Sequence, residues 1–121
     1  MMIKAVDVAR KRKLPRSSRM MFMNMERRAA RKEMAYDISK EWLFDEILRT
    51  DGLCARTGRE LFFTDNARHP WQLSLDRLDN DVGYVPGNVE VVAYIYNMAR
   101  QGWDHKLVKE FAEIIIEFDD G

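Results

Sequence analysis

Residues 73–101 constrain the fold more than any other stretch, because their hydrophobic period changes within about thirty positions. An alternating run from Leu73 to Arg77 predicts a half-buried strand, and polar turn residues follow it. Residues 89–92 form a β-branched run that predicts a second strand. From Ala93 the apolar residues recur at helical spacing, and Gly102 is expected to end that helix. The stretch therefore predicts a strand, a strand and a helix in order.

Two oxygen-bearing side chains occupy facing positions in this predicted unit. Asp76 lies at the end of the first strand and Asn97 lies in the first turns of the helix, so the unit brings them face to face. A carboxylate and an amide oxygen, with water and phosphate at the remaining positions, suit a hard cation better than Zn²⁺. We predict a single site for Mg²⁺ or Mn²⁺ on Asp76 and Asn97.

The order of short motifs in this stretch resembles that of the HNH endonuclease family, whose fold is the ββα-metal finger. The motifs are SLDRLD at 74–79, GY at 83–84, GN at 87–88 and NM at 97–98, a pattern typical of phage-borne members. The resemblance runs from about Cys54 to Gln101 and includes Cys54-x-x-Thr57-Gly58. It implies an α+β fold in which a central ββα-metal finger and a short hairpin are packed by flanking helices.

The resemblance also implies roles for individual residues. Asp76 matches the metal ligand on the first strand, and Asn97 matches the ligand on the helix. Asn88 matches the middle asparagine, which ties the loop to the finger by side-chain hydrogen bonds. The implied activity is that of an HNH-type endonuclease, with metal-dependent hydrolysis of phosphodiester bonds in DNA. In that mechanism the metal stabilises charge on the phosphate and on the leaving oxygen.

Arg77 departs from the family pattern, since HNH nucleases usually carry there the histidine that takes a proton from the attacking water. A guanidinium stays protonated at neutral pH and cannot serve as a general base. Arg77 can instead hold the scissile phosphate through two parallel hydrogen bonds, which leaves the base role to His69 or to a metal-bound hydroxide. The alternative is a catalytically inactive HNH-like module that binds DNA or a host protein.

A strong charge asymmetry lies behind the net charge of zero. Residues 1–33 contain eleven basic and three acidic side chains, a net +8, so the remainder of the chain carries −8. A basic segment on an acidic body is typical of a nucleic-acid binder, although a solvated tail has the same composition. The predicted DNA contacts are Arg10, Lys11, Arg12, Lys13, Arg16, Arg27, Arg28, Arg31 and Lys32.

The length of 121 residues suits one domain, which we divide into a basic N-terminal arm at 1–33, partly helical, and an HNH-like domain at 34–121. The lone Cys54 excludes a disulfide framework and a structural zinc cluster. A reducing cytosol is therefore expected, as for a phage protein acting in the cytoplasm of a bacterial host. No apolar run reaches membrane-spanning length, so no membrane partner is predicted.

Two further helices are predicted to flank the finger. Asp37 is expected to cap the first, which carries Trp42 on its apolar face, and Asp104 is expected to cap a last helix at about 105–118. We expect the last helix to pack on the Trp42 helix. His105, in its first turn, is interpreted as a structural residue that lies beyond the finger.

Overall fold

A computed structural model describes residues 1–121 of the chain. It contains four strands and five α-helices, arranged as two small antiparallel sheets with helices around them. The elements are β1 (Met2–Lys4), α1 (Ala5–Lys11), α2 (Arg19–Arg31), α3 (Lys40–Arg49), β2 (Phe62–Thr64), β3 (Leu73–Arg77), β4 (Val89–Ala93), α4 (Tyr94–Arg100) and α5 (His105–Asp120). The predicted α+β class is confirmed.

The strand–strand–helix unit forms where the change of period predicts it. β3 and β4 pair antiparallel, with Leu73 opposite Ala93 and Arg77 opposite Val89. α4 begins at Tyr94, with no residue between it and β4. The apolar residues of both strands enter one core cluster, which fixes the register because a slip of one residue would turn them outward.

The N-terminal segment is part of the body. β1 pairs antiparallel with β2, which lies about sixty residues later, with Met2 opposite Thr64. The small face of α1, formed by Ala5, Val8 and Ala9, is buried against α3. On α2, Met25 and Ala29 are buried in the same core. Residues 1–33 therefore supply core surface as well as positive charge, and we do not expect residues 34–121 to fold alone.

The caps of the flanking helices differ in part from expectation. α3 begins after Ser39, whose hydroxyl accepts a hydrogen bond from the backbone N–H of Trp42 at 3.0 Å, so the predicted cap at Asp37 is wrong. The reason is that the backbone N–H of Asp37 donates to the carbonyl of Tyr84 instead, which keeps this residue in a strand-like link. Asp104 does cap α5, accepting from the backbone N–H of Leu107 at 2.9 Å.

The last helix, α5, is largely exposed to solvent. α5 has no buried residue and meets the body mainly through α4, whereas α3 packs on α1, so the predicted packing of α5 on the Trp42 helix is wrong. α1 already covers the apolar face of α3, which leaves α5 without that partner. None of the helices combines the length and the apolar character that crossing a membrane requires.

Two neighbouring alanines on α2 test whether the basic segment belongs to the core. Ala29 is buried and Ala30 is exposed. We expect Ala29→Glu to lower the free energy of unfolding by about 3–5 kcal/mol, because it buries a carboxylate without a partner. Ala30→Glu should change it by no more than about 0.5 kcal/mol. Urea unfolding followed by circular dichroism measures both, and equal stability of the two variants would show that α2 does not pack on the body.

Candidate functional site

The candidate site lies between the first strand of the ββα unit and its helix. Side chains alternate along β3, so Ser74 and Asp76 share the face that α4 covers. Asn97 donates a hydrogen bond from Nδ2 to Ser74 Oγ at 2.7 Å and contacts the Leu75 carbonyl oxygen at 3.3 Å. One turn later, Arg100 reaches Asp76. The helix therefore meets the strand through two separate polar contacts.

Arg100 holds Asp76 in a buried ion pair. Its Nη1 lies 2.9 and 3.0 Å from the two carboxylate oxygens, and the residues are 8% and 4% exposed respectively. The same guanidinium donates to the carbonyl oxygens of Arg77 and Leu78, both at 2.9 Å. Asp76 and Arg100 neutralise each other, and Arg100 also fixes the end of β3 to the helix.

Burial sets the protonation balance of Asp76. The loss of solvent raises the pKa of the Asp76 carboxyl above its ordinary value, because water no longer stabilises the charged form. The Arg100 guanidinium opposes this rise, and the neighbouring Glu90 carboxylate adds to it. Asp76 therefore depends on Arg100 to remain ionised inside the fold.

A second arginine–carboxylate pair flanks the first. Glu90 on β4 lies opposite Asp76 in the strand register, which places the two carboxylates on one face. Arg56 holds Glu90 through two contacts, Nε to Oε2 at 2.7 Å and Nη2 to Oε1 at 3.0 Å. Beside this cluster, the Tyr96 hydroxyl lies 2.8 Å from His105 Nδ1, so His105 lies nearer the finger than its sequence position suggests. Each carboxylate of this face has its own arginine.

The two predicted metal ligands are not brought together by any direct contact. Both carboxylate oxygens of Asp76 accept hydrogen bonds from Arg100. Asn97 donates from its amide nitrogen to β3, and its Oδ1 has no hydrogen-bond partner. No group of three or more histidine, cysteine, aspartate or glutamate side chains converges anywhere in the chain. The oxygen donors have the right chemistry for a hard cation, but a guanidinium takes the place beside the carboxylate. As arranged, the residues do not form a metal site.

Asn88 organises the loop between β3 and β4. Its Oδ1 accepts from the backbone N–H of Asp79, and its Nδ2 donates to the carbonyl oxygens of Asp79, Val82 and Gly83. Gly83 packs against the backbone of Ala35 so closely that a Cβ atom there would overlap it. The loop is therefore held at both ends, by Asn88 within the finger and by Ala35 outside it.

Arg77 points away from Asp76 and braces this loop. Its Nη1 donates to the Asn80 carbonyl oxygen at 2.9 Å and lies 2.9 Å from Met34 Sδ. The guanidinium carbon stands 5.2 Å from the centroid of the Tyr84 ring, a cation–π distance. Nη1 makes all the hydrogen bonds of this guanidinium, so Nε and Nη2 remain available to an incoming anion.

His69 lies at the opposite end of β3 from Asp76. Its Nδ1 accepts a hydrogen bond from the backbone N–H of Trp71 at 3.1 Å, so this nitrogen carries the lone pair and Nε2 carries the proton. The strand rise between Leu73 and Asp76 alone is about 10 Å. In this arrangement His69 can donate to a phosphate but has no free lone pair with which to accept a proton from water.

The nine basic side chains predicted to contact DNA are all exposed. Arg28 lies on a groove of about 450 Å³ between α2 and the finger, where Ser74 and Asn97 form part of the opposite wall. Lys11, Lys13 and Arg16 lie around a second groove beside α1. Of these side chains, Arg28 alone borders the groove that Asn97 lines, and the second groove has no residue of the finger in its wall.

Arg100 is the site residue that the sequence reasoning missed. A signal for it exists, because Asn97 and Arg100 are three residues apart and so share one side of a helix. A buried carboxylate also requires a partner of opposite charge, and Arg100 is the basic residue of α4.

Comparison with known proteins bears on the fold. No protein-family model matches the chain, and no curated protein matches it. A solved structure does match, that of the rare-cutting HNH restriction endonuclease PacI, with 21% identity over 85% of this chain and 78% of that chain and a TM-score of 0.58. The chain has the fold of an HNH endonuclease. This match confirms the predicted HNH fold. The roles of individual residues are argued from the contacts within this chain.

The Asp76–Arg100 pair predicts a large stability effect. Arg100→Met leaves a buried carboxylate unpaired and should lower the free energy of unfolding by about 3–5 kcal/mol at neutral pH. The matched control is Arg56→Met, which breaks a more exposed pair and should cost about 1 kcal/mol or less. Urea unfolding compares the two variants.

The loss in Arg100→Met should also depend on pH. Without Arg100, the pKa of Asp76 in the folded state rises further above its unfolded value, so only the ionised carboxyl is penalised by folding. The loss should therefore be fully developed at neutral pH and shrink as pH falls toward the raised pKa that Asp76 has in the parent, below which the carboxyl is neutral in both folded proteins. A loss equal to that of Arg56→Met at every pH would contradict the structural role of the pair.

Proposed function

We propose that this chain acts on DNA as an HNH-type endonuclease that hydrolyses phosphodiester bonds. The observation that carries the proposal is the ββα unit of an HNH fold whose strand and helix each supply an oxygen-bearing side chain, Asp76 and Asn97, at one interface. Arg28 of α2 borders the groove that Asn97 lines, and the other basic side chains of residues 1–33 are exposed. A phosphate backbone has the charge and shape that such a border attracts.

A divalent cation, Mg²⁺ or Mn²⁺, is the proposed cofactor, with Asp76 and Asn97 as its ligands. Because Arg100 occupies Asp76 in the structure, a cation and Arg100 compete for one carboxylate. Cation binding would therefore set a second positive charge beside the Arg100 guanidinium, on the lone pairs of Asp76 that the arginine leaves free. The free Oδ1 of Asn97 supports the proposal, and the buried ion pair opposes it.

Arg77 is proposed as a phosphate-binding group rather than as a base. Its Nε and Nη2 are free while Nη1 stays on the loop, so it can meet an anion without leaving Asn80. His69 fits the role of phosphate donor through Nε2 better than that of base, since its Nδ1 is occupied. The general base of the proposed reaction has no assigned side chain.

A second function, a catalytically inactive HNH-like module that binds DNA, is favoured by one observation. Each carboxylate beneath α4 is already neutralised by an arginine, Asp76 by Arg100 and Glu90 by Arg56. A site whose carboxylates are neutralised attracts a cation less than free carboxylates would. The two functions differ in cleavage and agree in DNA binding, so they are separable by experiment. A phage origin and a bacterial cytoplasm remain part of the proposal and follow from the motif pattern.

Cleavage of supercoiled plasmid with Mg²⁺ or Mn²⁺ tests the endonuclease proposal. The informative variant is Asn97→Ala, because it removes a proposed ligand and leaves the buried Arg100 paired with Asp76. We expect a loss of at least about 100-fold in cleavage rate, typical of removing a group that stabilises the transition state. Ile95→Ala, on the exposed side of the same helix, is the control and should cleave like the parent.

The outcomes separate the two functions. If the parent nicks plasmid only with added cation and Asn97→Ala does not, the endonuclease is supported. A parent that binds DNA and leaves it intact with both cations would establish the inactive module instead. Equal cleavage by Asn97→Ala and the parent would place the site elsewhere in the chain.

DNA binding by α2 makes a prediction of its own. Arg27 and Arg31 are exposed on one side of this helix, away from the buried Ala29. If both contact phosphates, replacing them with Gln should reduce the slope of log K against log salt by about 2, since each contact contributes about 0.9. Lys40→Gln with Arg49→Gln changes the same charge outside the segment and should leave the slope unchanged. Equal salt slopes for the two double variants would show that Arg27 and Arg31 do not contact DNA.

A further inference from the structure

α5 presents an apolar row that the chain itself leaves uncovered. The helix has sixteen residues and none of them is buried. Leu107, Phe111, Ile114 and Phe118 recur at spacings of four, three and four, which places them along one side. All four side chains are exposed, and Phe111 is 62% exposed. The row is therefore a continuous apolar face in contact with water.

The charges of α5 are also unfavourable for a helix in isolation. Its C-terminal half carries Glu113, Glu117, Asp119 and Asp120, where the helix dipole favours positive charge. Its two lysines, Lys106 and Lys109, lie nearer the N-terminus, where the dipole favours negative charge. A helix of this length usually depends on packing of its apolar face for most of its stability. Something other than its own sequence is needed to stabilise α5.

We propose that the α5 apolar face binds the same face of a second copy of this chain, in an antiparallel, two-fold symmetric pair. A two-fold contact is self-complementary, so one apolar row suffices for both partners. Antiparallel pairing sets the lysine-bearing end of one α5 beside the acidic end of the other, and it opposes the two helix dipoles favourably. Parallel pairing would place four acidic residues beside four more. The charge pattern that destabilises one helix thus becomes complementary in the pair.

The exposed area is sufficient for such a contact. The exposed fractions of Leu107, Phe111, Ile114, Ile115 and Phe118 leave on the order of 600 Å² of apolar surface on one helix, against about 800 Å² per partner in a standard interface. A monomeric protein rarely leaves an apolar patch of more than a few hundred Å² uncovered.

Sedimentation equilibrium of the full chain measures the proposed pair directly. We expect a mass of twice 14.3 kDa at micromolar concentrations, and we expect Phe111→Glu to return the mass to that of one chain. Ile116→Glu is the matched control, because Ile116 is 58% exposed but lies on the opposite side of the helix. It adds the same charge and should leave the dimer intact.

Disulfide formation reports the orientation. In the antiparallel pair Leu107 of one copy lies beside Phe118 of the other, so a mixture of Leu107→Cys and Phe118→Cys chains should cross-link on oxidation. Leu107→Cys alone should cross-link far less, since the antiparallel arrangement sets the two copies of this position about 16 Å apart along the helices. The native Cys54 is buried and does not compete.

The proposed dimer is independent of the proposed nuclease function. A parent chain that sediments as a monomer at all these concentrations would overturn it, as would dissociation by Ile116→Glu to the same extent as by Phe111→Glu. Efficient cross-linking of Leu107→Cys alone would overturn the antiparallel arrangement. None of these measurements depends on DNA cleavage or on a cation.

Discussion

The buried contact between Arg100 and Asp76 holds the finger together. One guanidinium satisfies a carboxylate on β3 and two backbone carbonyl oxygens beyond it, so the strand end, the start of the loop and α4 are fixed by a single side chain. Because both charges are buried, replacing either residue leaves the other as an unpaired buried charge. Asp76 therefore has a structural role, and this role competes with cation binding for the same carboxylate.

Much of the finger was predictable because its determinants are local. The alternation in β3, the β-branched run in β4 and the helical spacing after Ala93 each lie within a few residues of the element they specify. The motif order pointed to the HNH fold for the same reason. Asn88 makes the loop hydrogen bonds that its motif position implies, since its partners lie within nine residues.

The remainder depended on contacts between distant residues. The pairing of Met2 with Thr64, and the burial of Ala29 in the core, bring together segments that no local pattern connects. A stretch rich in arginine was interpreted as a basic, DNA-binding arm separate from the body, although its small residues are buried in the core while its charged residues are exposed. Asp76 and Asn97 were predicted to converge on a cation, but the prediction left out Arg100, which forms the ion pair with Asp76.

The direct passage from β4 into α4 has a consequence for how the chain can vary in length. Since no residue separates Ala93 from Tyr94, the register of the strand also sets the rotational phase of the helix. One inserted residue at this junction would rotate the helix by about 100° and carry Asn97 and Arg100 away from β3 together. The junction therefore admits no insertion or deletion that would keep both contacts in place.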